Sequence, residues 1–267
     1  MTVGTNTIKQ TAKSFLSGNF LKTVISSLVF LFCIWIGVYL STIITAFCSV
    51  LLSKIFLFLF TLFLTIPLFF GFLRFSWRLI KESDDKPISV FYYFSHISLY
   101  FKVLKLIFIV TLKLLPVAVV LFLPVLFIWV LSQSFIFEMF DISIPLWSRN
   151  LTYAILFSRT ISNFLLIFIS LKYYIAPILF VADENIDVRE ALYMSYVVSK
   201  KTSLDFIFLS FSFIGWIIIS LLAFPLPFTL PYFLTAYAVH TDFAITEYNE
   251  HIEKLNEKNY PTFSVGV

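Results

Sequence analysis

Glycine is scarce in this chain: six residues among 267, where ordinary usage is about 7%. Broken helices and close helix crossings in membranes normally use glycine, and no GxxxG pair is present. The spans also lack a polar stripe, so a channel for polar solutes is a poor fit. Charge is equally thin, at 13% of residues against about 25% in a soluble domain. With so few polar side chains, a folded soluble core could not cover its own apolar surface. Cysteine is reduced to Cys33 and Cys48. Fifteen residues of helix would separate them by roughly 22 Å, far beyond disulfide reach. Neither sits in a metal-ligand pattern, so both are expected to be buried free thiols.

Catalytic signatures are missing as well. The three histidines, His96, His240 and His251, form no HExxH, and no GxSxG elbow or GxxxxGK[ST] phosphate loop occurs. A lone histidine near a membrane surface is more often a polar anchor than a catalyst. The chain is therefore read as non-enzymatic, with no cofactor and no metal expected.

What the sequence does contain is grease. Hydrophobic residues make up 60% of it, with 35 Phe among them, and the mean hydropathy is +0.96. The apolar residues gather in runs near the roughly 20 residues that a bilayer-crossing helix requires. The reading is all-α: a polytopic transmembrane helical bundle of six spans, at about 24–48, 55–75, 103–131, 155–181, 206–224 and 228–246. Residues 1–246 form one membrane domain, and 247–267 a polar cytoplasmic tail. The first run is too long for a signal-peptide core of 7–15 residues.

Orientation follows from the cations, which favour the cytoplasmic side. With the N-terminus inside, sixteen of the 19 Lys and Arg fall on the inner side, and only Lys54, Arg149 and Arg159 stay outside. Both termini are expected in the cytoplasm of a cell-membrane protein. The basic residues lie between apolar blocks, with no aromatic-interleaved stripe for nucleic acid.

Two inner loops, Arg74 to Lys105 and Asp183 to Lys201, contain amphipathic stretches. Pro87 could begin the first, with Val90, Phe91, Phe94, Ile97 and Phe101 near one face and Ser89, Tyr93, His96 and Tyr100 on another. The second opens on a capping box, Asp187 with Glu190; Val188, Leu192 and Ser195 then share one side, Arg189, Glu190 and Tyr193 the other. Helices of this type lie in the headgroup plane, or serve simply as connectors under the bundle. The two regions also rhyme. Pro67, an acidic loop, an amphipathic stretch and Lys102 are echoed by Pro177, an acidic loop, an amphipathic stretch and Lys200. The spacings differ, 35 residues against 23, so the duplicated hairpin unit this hints at is an approximate one.

Five ionisable residues sit in or beside the spans: Lys113, Lys172, Asp205, His240 and Asp242. Intramembrane charges are expensive and often functional, which makes these five a candidate buried charge cluster at the cytoplasmic end of the bundle. Alternatively the two lysines snorkel to inner headgroups.

Several short motifs carry a resemblance. The opening Ile8-Lys9-Gln10-Thr11-Ala12-Lys13 with Phe15-Leu16-Ser17-Gly18-Asn19, and Pro67-Leu68-Phe69-Phe70-Gly71 followed by Arg74, are two of them. Ala191-Leu192 with Ser195, Leu209-Ser210-Phe211, Phe213-Ile214-Gly215-Trp216, and Pro231-Tyr232 with Thr235, Ala236 and Tyr237 complete the set. Together they resemble the bacterial membrane family called domain of unknown function 975, over most of the chain. After Ser195 the chain departs from the family's Met-Gly-apolar-Lys step, with Val197-Val198-Ser199-Lys200-Lys201. The resemblance implies a multi-span bacterial membrane protein and no agreed activity.

The functional expectation is a non-catalytic accessory or regulatory membrane component. Its partners would be membrane lipids and another membrane or cytosolic protein at the inner loops. The rival is a transporter or permease-like subunit for an apolar or amphipathic cargo.

Overall fold

The computed structural model describes residues 4–81, 86–131, 147–220 and 225–259. Residues 82–85, residues 132–146 with Glu138, Asp141 and Pro145, the end of the expected fifth span, and the tail beyond 259 lie outside them. Among the described residues every regular element is helical. Contacts divide the chain into two units, Met1–Lys105 with Ile175–Val267, and Leu106–Tyr174.

In the first unit, α1 (Thr5–Gly18) is a short helix that buries Ile8 and Ala12. It was not expected as a separate element, and it packs chiefly on the last helix. After Asn19 comes α2 (Phe20–Phe47), then α3 (Val50–Phe60), whose first turn is capped by Ser49 Oγ accepting from the Leu52 N–H at 3.1 Å. The π-helical turn Thr61–Thr65 joins α3 to α4 (Ile66–Ile80). Pro67 has no N–H to offer the carbonyl four residues back, which belongs to Phe63. Tyr100 Oη donates to that carbonyl at 2.9 Å, so the widened turn leaves no bare acceptor.

The stretch that starts at Pro87 departs from the single amphipathic helix read from sequence. It forms a 3₁₀ turn (Pro87–Phe91) and α5 (Tyr92–Ser95), breaks at His96, and resumes as α6 (Ile97–Leu131). The tighter turn and the break change the register. Val90 and Tyr93 are fully buried, while Ile97 is 73% exposed. Tyr93 is buried because its ring lies between Phe70 and Phe180, at 6.3 Å from each. Helix α4 can approach this segment because Gly71 has no side chain: a Cβ there would collide with the Val90 carbonyl.

The second unit contains most of α6, α7 (Trp147–Ser170) and a 3₁₀ turn (Leu171–Tyr173). Here Ser162 Oγ donates to the Leu121 carbonyl at 2.6 Å, one turn before Pro124.

Back in the first unit, α8 (Ala176–Ala182) leads through a short loop to α9 (Val188–Phe211). Asp187 caps α9, its Oδ2 accepting from the Arg189 N–H. The expected inner face holds, with Val188, Leu192 and Ser195 buried and Arg189, Glu190 and Tyr193 exposed. The expected charged loop up to Asp205 does not. Lys200, Lys201 and Asp205 are ordinary residues of one continuous helix, because Lys is a good helix former and these side chains need not be buried. A 42° bend separates α9 from α10 (Ile214–Ser220). The chain then returns as α11 (Leu226–Asn259).

Among the described residues, four segments are long and apolar enough to cross a membrane: Phe20–Phe47, Val50–Ile80, Ile97–Val130 and Thr152–Ala182. The bent pair α9–α10 makes a fifth if it counts as one span. Helix α11 is not among them, since its apolar part is cut short by the charged residues after Thr241. The outward faces of these segments carry bare aromatics such as Trp35, Phe58, Phe127 and Phe157, which suits lipid and not water. Cys33 is half-buried, but Cys48 is exposed at the α2–α3 turn, contrary to the expectation of two buried thiols. It ends its helix, where no neighbouring element covers it.

Contacts along α2 place its neighbours by height. Ser53 pairs with Ser41 at 2.8 Å, Phe72 with Phe30 at 5.6 Å, and the Pro87 carbonyl with Ser26 at 3.4 Å. The described residues of α10 and α11 stand beside the first half of α2. Ser27 Oγ donates to the Pro227 carbonyl at 2.6 Å, and Ser220 and Leu226 share a cavity with Phe30 and Leu31. The Pro227 carbonyl is the one that Pro231 leaves unbonded, four residues on, so Ser27 repeats the service that Tyr100 performs at Pro67.

Candidate functional site: a polar lock between helices

Arg74 is placed on the last two turns of α4, with only 4% of its side chain exposed. Its Nε donates to Glu184 Oε1 at 2.9 Å, and its guanidinium lies 3.4 Å from the Tyr92 ring centroid. Tyr92 Oη donates to the other carboxylate oxygen, Glu184 Oε2, at 2.8 Å, and Lys102 Nζ donates to the Glu184 main-chain carbonyl at 3.1 Å. His96 stacks on the far side of this group, 4.2 Å from the Tyr92 ring. Glu184 thus ties together α4 and the Pro87 segment through its carboxylate, and the start of α6 through its main-chain carbonyl, all to the loop after α8.

The electrostatics agree with the geometry. Burial, then the hydrogen bond and negative charge of Glu184, push the Tyr92 hydroxyl above its ordinary range, with Arg74 and Arg78 pulling the other way. Tyr93, deeper and more fully desolvated, is pushed up further. Both phenols stay protonated, as a donor to Glu184 must. Among the described residues, the Tyr93 hydroxyl and Ser89 Oγ are buried without a hydrogen-bond partner.

The two prolines explain why these residues meet. Arg74 is seven residues after Pro67, and Glu184 seven after Pro177; Phe70 and Phe180 are each three after their proline. Phe70 and Phe180 also touch, edge to face at 6.1 Å. Residues at matching positions of the two echoed segments therefore pair with each other, as they do across a two-fold axis. The rhyme was visible in the sequence, but the pairing was missed; two opposite charges at equal distance from two prolines were the signal.

Ser195, one of the resemblance motifs, is fully buried, and its Oγ accepts from the Ala176 N–H at 3.1 Å. That N–H belongs to the first turn of α8 and has no partner within its own helix. Thr235 and Ala236 are likewise fully buried on α11.

The five residues of the candidate charge cluster occupy different settings. Lys113 and Lys172 belong to the second unit; both are exposed, with Lys113 Nζ 5.5 Å from the Tyr173 ring. Asp205 is half-buried on α9. His240 is 4% exposed and stacks on Phe206, the residue after Asp205, at 5.8 Å. Burial pushes its imidazole down to about 4, against a hydrogen bond to the Thr202 main chain that favours the charged form. Asp242 forms an ion pair with Lys81 at 2.8 Å, both well exposed. Of the five, His240 is the one that the structure buries.

A family model described as "Protein of unknown function (DUF975)" matches residues 1–243 of the chain. No curated protein and no solved structure matches it.

Proposed function

The chain belongs to that family of unknown function, and from its inner face we propose that it is a membrane-embedded accessory or regulatory component without catalysis of its own. The observation that carries this reading is the Arg74–Glu184–Tyr92 group. Its charges are committed to one another and to joining helices, the arrangement of a structural lock and not of a reacting centre. Both termini face the cytoplasm of a bacterial cell membrane, as the cation bias requires. On this reading α10 and α11 form a re-entrant hairpin in the inner leaflet, which replaces the fifth and sixth full spans read from sequence. The inner loops are then the contact surface for headgroups or for a cytosolic protein.

A transporter subunit for an amphipathic cargo is the second reading, favoured by an apolar groove between α1, α2 and the hairpin. Native purification in lipid nanodiscs, with mass identification of bound components, separates the two. A stable protein partner supports the accessory role; cargo flux into liposomes by the isolated chain overturns it. Topology is tested apart from function, by cysteine labelling after Cys33 and Cys48 are replaced by Ser. Cysteine at Lys86 or Asn185 should label only from inside, at Ser49 only from outside, and at Leu226 never from outside.

A further inference from the structure

The groove between α1, α2 and the α10–α11 hairpin has a volume of about 440 Å³. Its walls are apolar side chains from each element, chiefly Leu16, Phe20, Val24, Trp216, Phe228 and Tyr232. Phe20 and Phe228 stack at 5.9 Å to form one wall, and Trp216 meets Tyr232 edge to face at 6.4 Å to form the other. Phe20 is 55% and Trp216 46% exposed, so the described residues leave the walls uncovered.

Four residues lining the groove carry hydroxyls, and all four bond within the chain. Ser17 donates to the Ser14 carbonyl, Thr23 to Phe20, Thr229 to Pro225 and Tyr232 to Lys9, at 2.8, 2.8, 3.1 and 3.5 Å. A peptide segment seated here would bring backbone donors and acceptors that need partners. A hydrocarbon chain brings none. The volume also suits one long acyl chain and not a helix about 10 Å across.

The polar end is basic. Lys13 lines the rim, exposed, and makes no hydrogen bond or ion pair among the described residues. The neighbouring Lys9 is already engaged, its Nζ donating to the Ser212 carbonyl at 2.7 Å at the α9–α10 bend and lying 4.7 Å from the Phe213 ring. That contact fixes α1 against the hairpin and leaves Lys13 free to face a ligand. An apolar slot with one uncommitted cation at its mouth complements an anionic amphiphile. We propose that this groove is a binding site for one anionic phospholipid of the inner leaflet, one acyl chain between Phe20 and Trp216 and the phosphate at Lys13.

The proposal rests on the orientation above only for its choice of leaflet; the site itself does not depend on it. The test is native mass spectrometry of the full chain, delipidated in detergent and titrated with phosphatidylglycerol or phosphatidylcholine. Wild type should retain one phosphatidylglycerol about fivefold more tightly than phosphatidylcholine, the scale expected for one lysine at an anionic surface. Lys13→Gln should erase the preference yet still bind either lipid weakly. Val24→Trp and Ser17→Trp, which fill the groove from α2 and from α1, should each remove the tight site while thermal melting shows the fold intact. Equal retention of the two lipids by wild type, or tight retention that survives both a filling variant and Lys13→Gln, would mean bulk annular lipid only and would overturn the site. The labelling experiment reports on orientation separately, so either result can fail alone.

Discussion

Arg74 and Glu184 stand at the same distance from two different prolines, and they meet Nε to Oε1 at 2.9 Å. Their pairing ties α4 to the loop after α8, and the cost of losing it is unequal on its two sides. Arg74 is 4% exposed but the Glu184 side chain 30%, so Glu184→Gln takes a negative charge away from a buried guanidinium, whereas Arg74→Gln leaves a carboxylate that water can reach. Removing one partner of a fully buried pair costs about 3–5 kcal/mol; partial solvent screening here lowers that to about 2–3 kcal/mol for Glu184→Gln and about 1–2 for Arg74→Gln. Thermal unfolding in detergent, run as a double-mutant cycle, should show the double variant less destabilised than the sum of the singles.

Gly71 and Gly215 predict opposite outcomes from the same substitution. A Cβ at Gly71 meets the Val90 main chain, which cannot swing aside as a side chain would. Gly71→Ala should cost about 1–3 kcal/mol as α4 and the Pro87 segment are forced apart. At Gly215 a Cβ meets nothing within 4 Å, and Gly215→Ala should be neutral or should stabilise α10 by up to about 1 kcal/mol. Melting temperatures of the two variants, side by side, check this.

The hydroxyls that serve proline-freed carbonyls should be costly to delete. Ser27→Ala leaves the Pro227 carbonyl without its 2.6 Å donor, and Tyr100→Phe does the same to Phe63. A buried acceptor left unsatisfied costs about 1–3 kcal/mol. Ser14→Ala, which removes an exposed hydroxyl, is the control and should change stability little. A Ser27→Ala protein as stable as wild type would remove the hairpin's anchor on α2.

His240 makes the fold sensitive to acid. Its folded value, about 4, lies below the ordinary value of 6.5, so the folded state prefers the neutral ring. The stability this represents is complete above pH 6.5 and is lost as the pH falls from there towards 4. The loss approaches about 3 kcal/mol at the acid end. Unfolding midpoints of wild type should fall steeply across that window, and those of His240→Gln should fall less. Parallel curves would assign the acid sensitivity to another group.

Hydropathy located the four long apolar segments because it measures the solvent that a helix prefers, and lipid leaves that mark in every residue. It cut α9 in two, where Lys200, Lys201 and Asp205 read as a loop between the amphipathic stretch and a span although they ride on an unbroken helix. A charge says which side of a helix is wet; it does not say that the helix ends. The Pro87 segment failed for a different reason. A 3₁₀ turn advances by three residues, so a face drawn with helical periodicity put Tyr93 among the polar residues, while the structure packs it between two phenylalanines. The lock was half legible. The two prolines could be seen to match, but the contact between equivalent positions depends on how two distant segments dock, which periodicity within one segment cannot report.

The matched prolines also bear on which pairs of segments could make this contact. Two separate, identical copies of one hairpin, meeting about the same axis, would set arginine against arginine or glutamate against glutamate. Opposite signs at a self-facing position need two unlike sequences, and here one polypeptide supplies both. The bridge from Arg74 to Glu184 therefore could not form between identical copies of either segment.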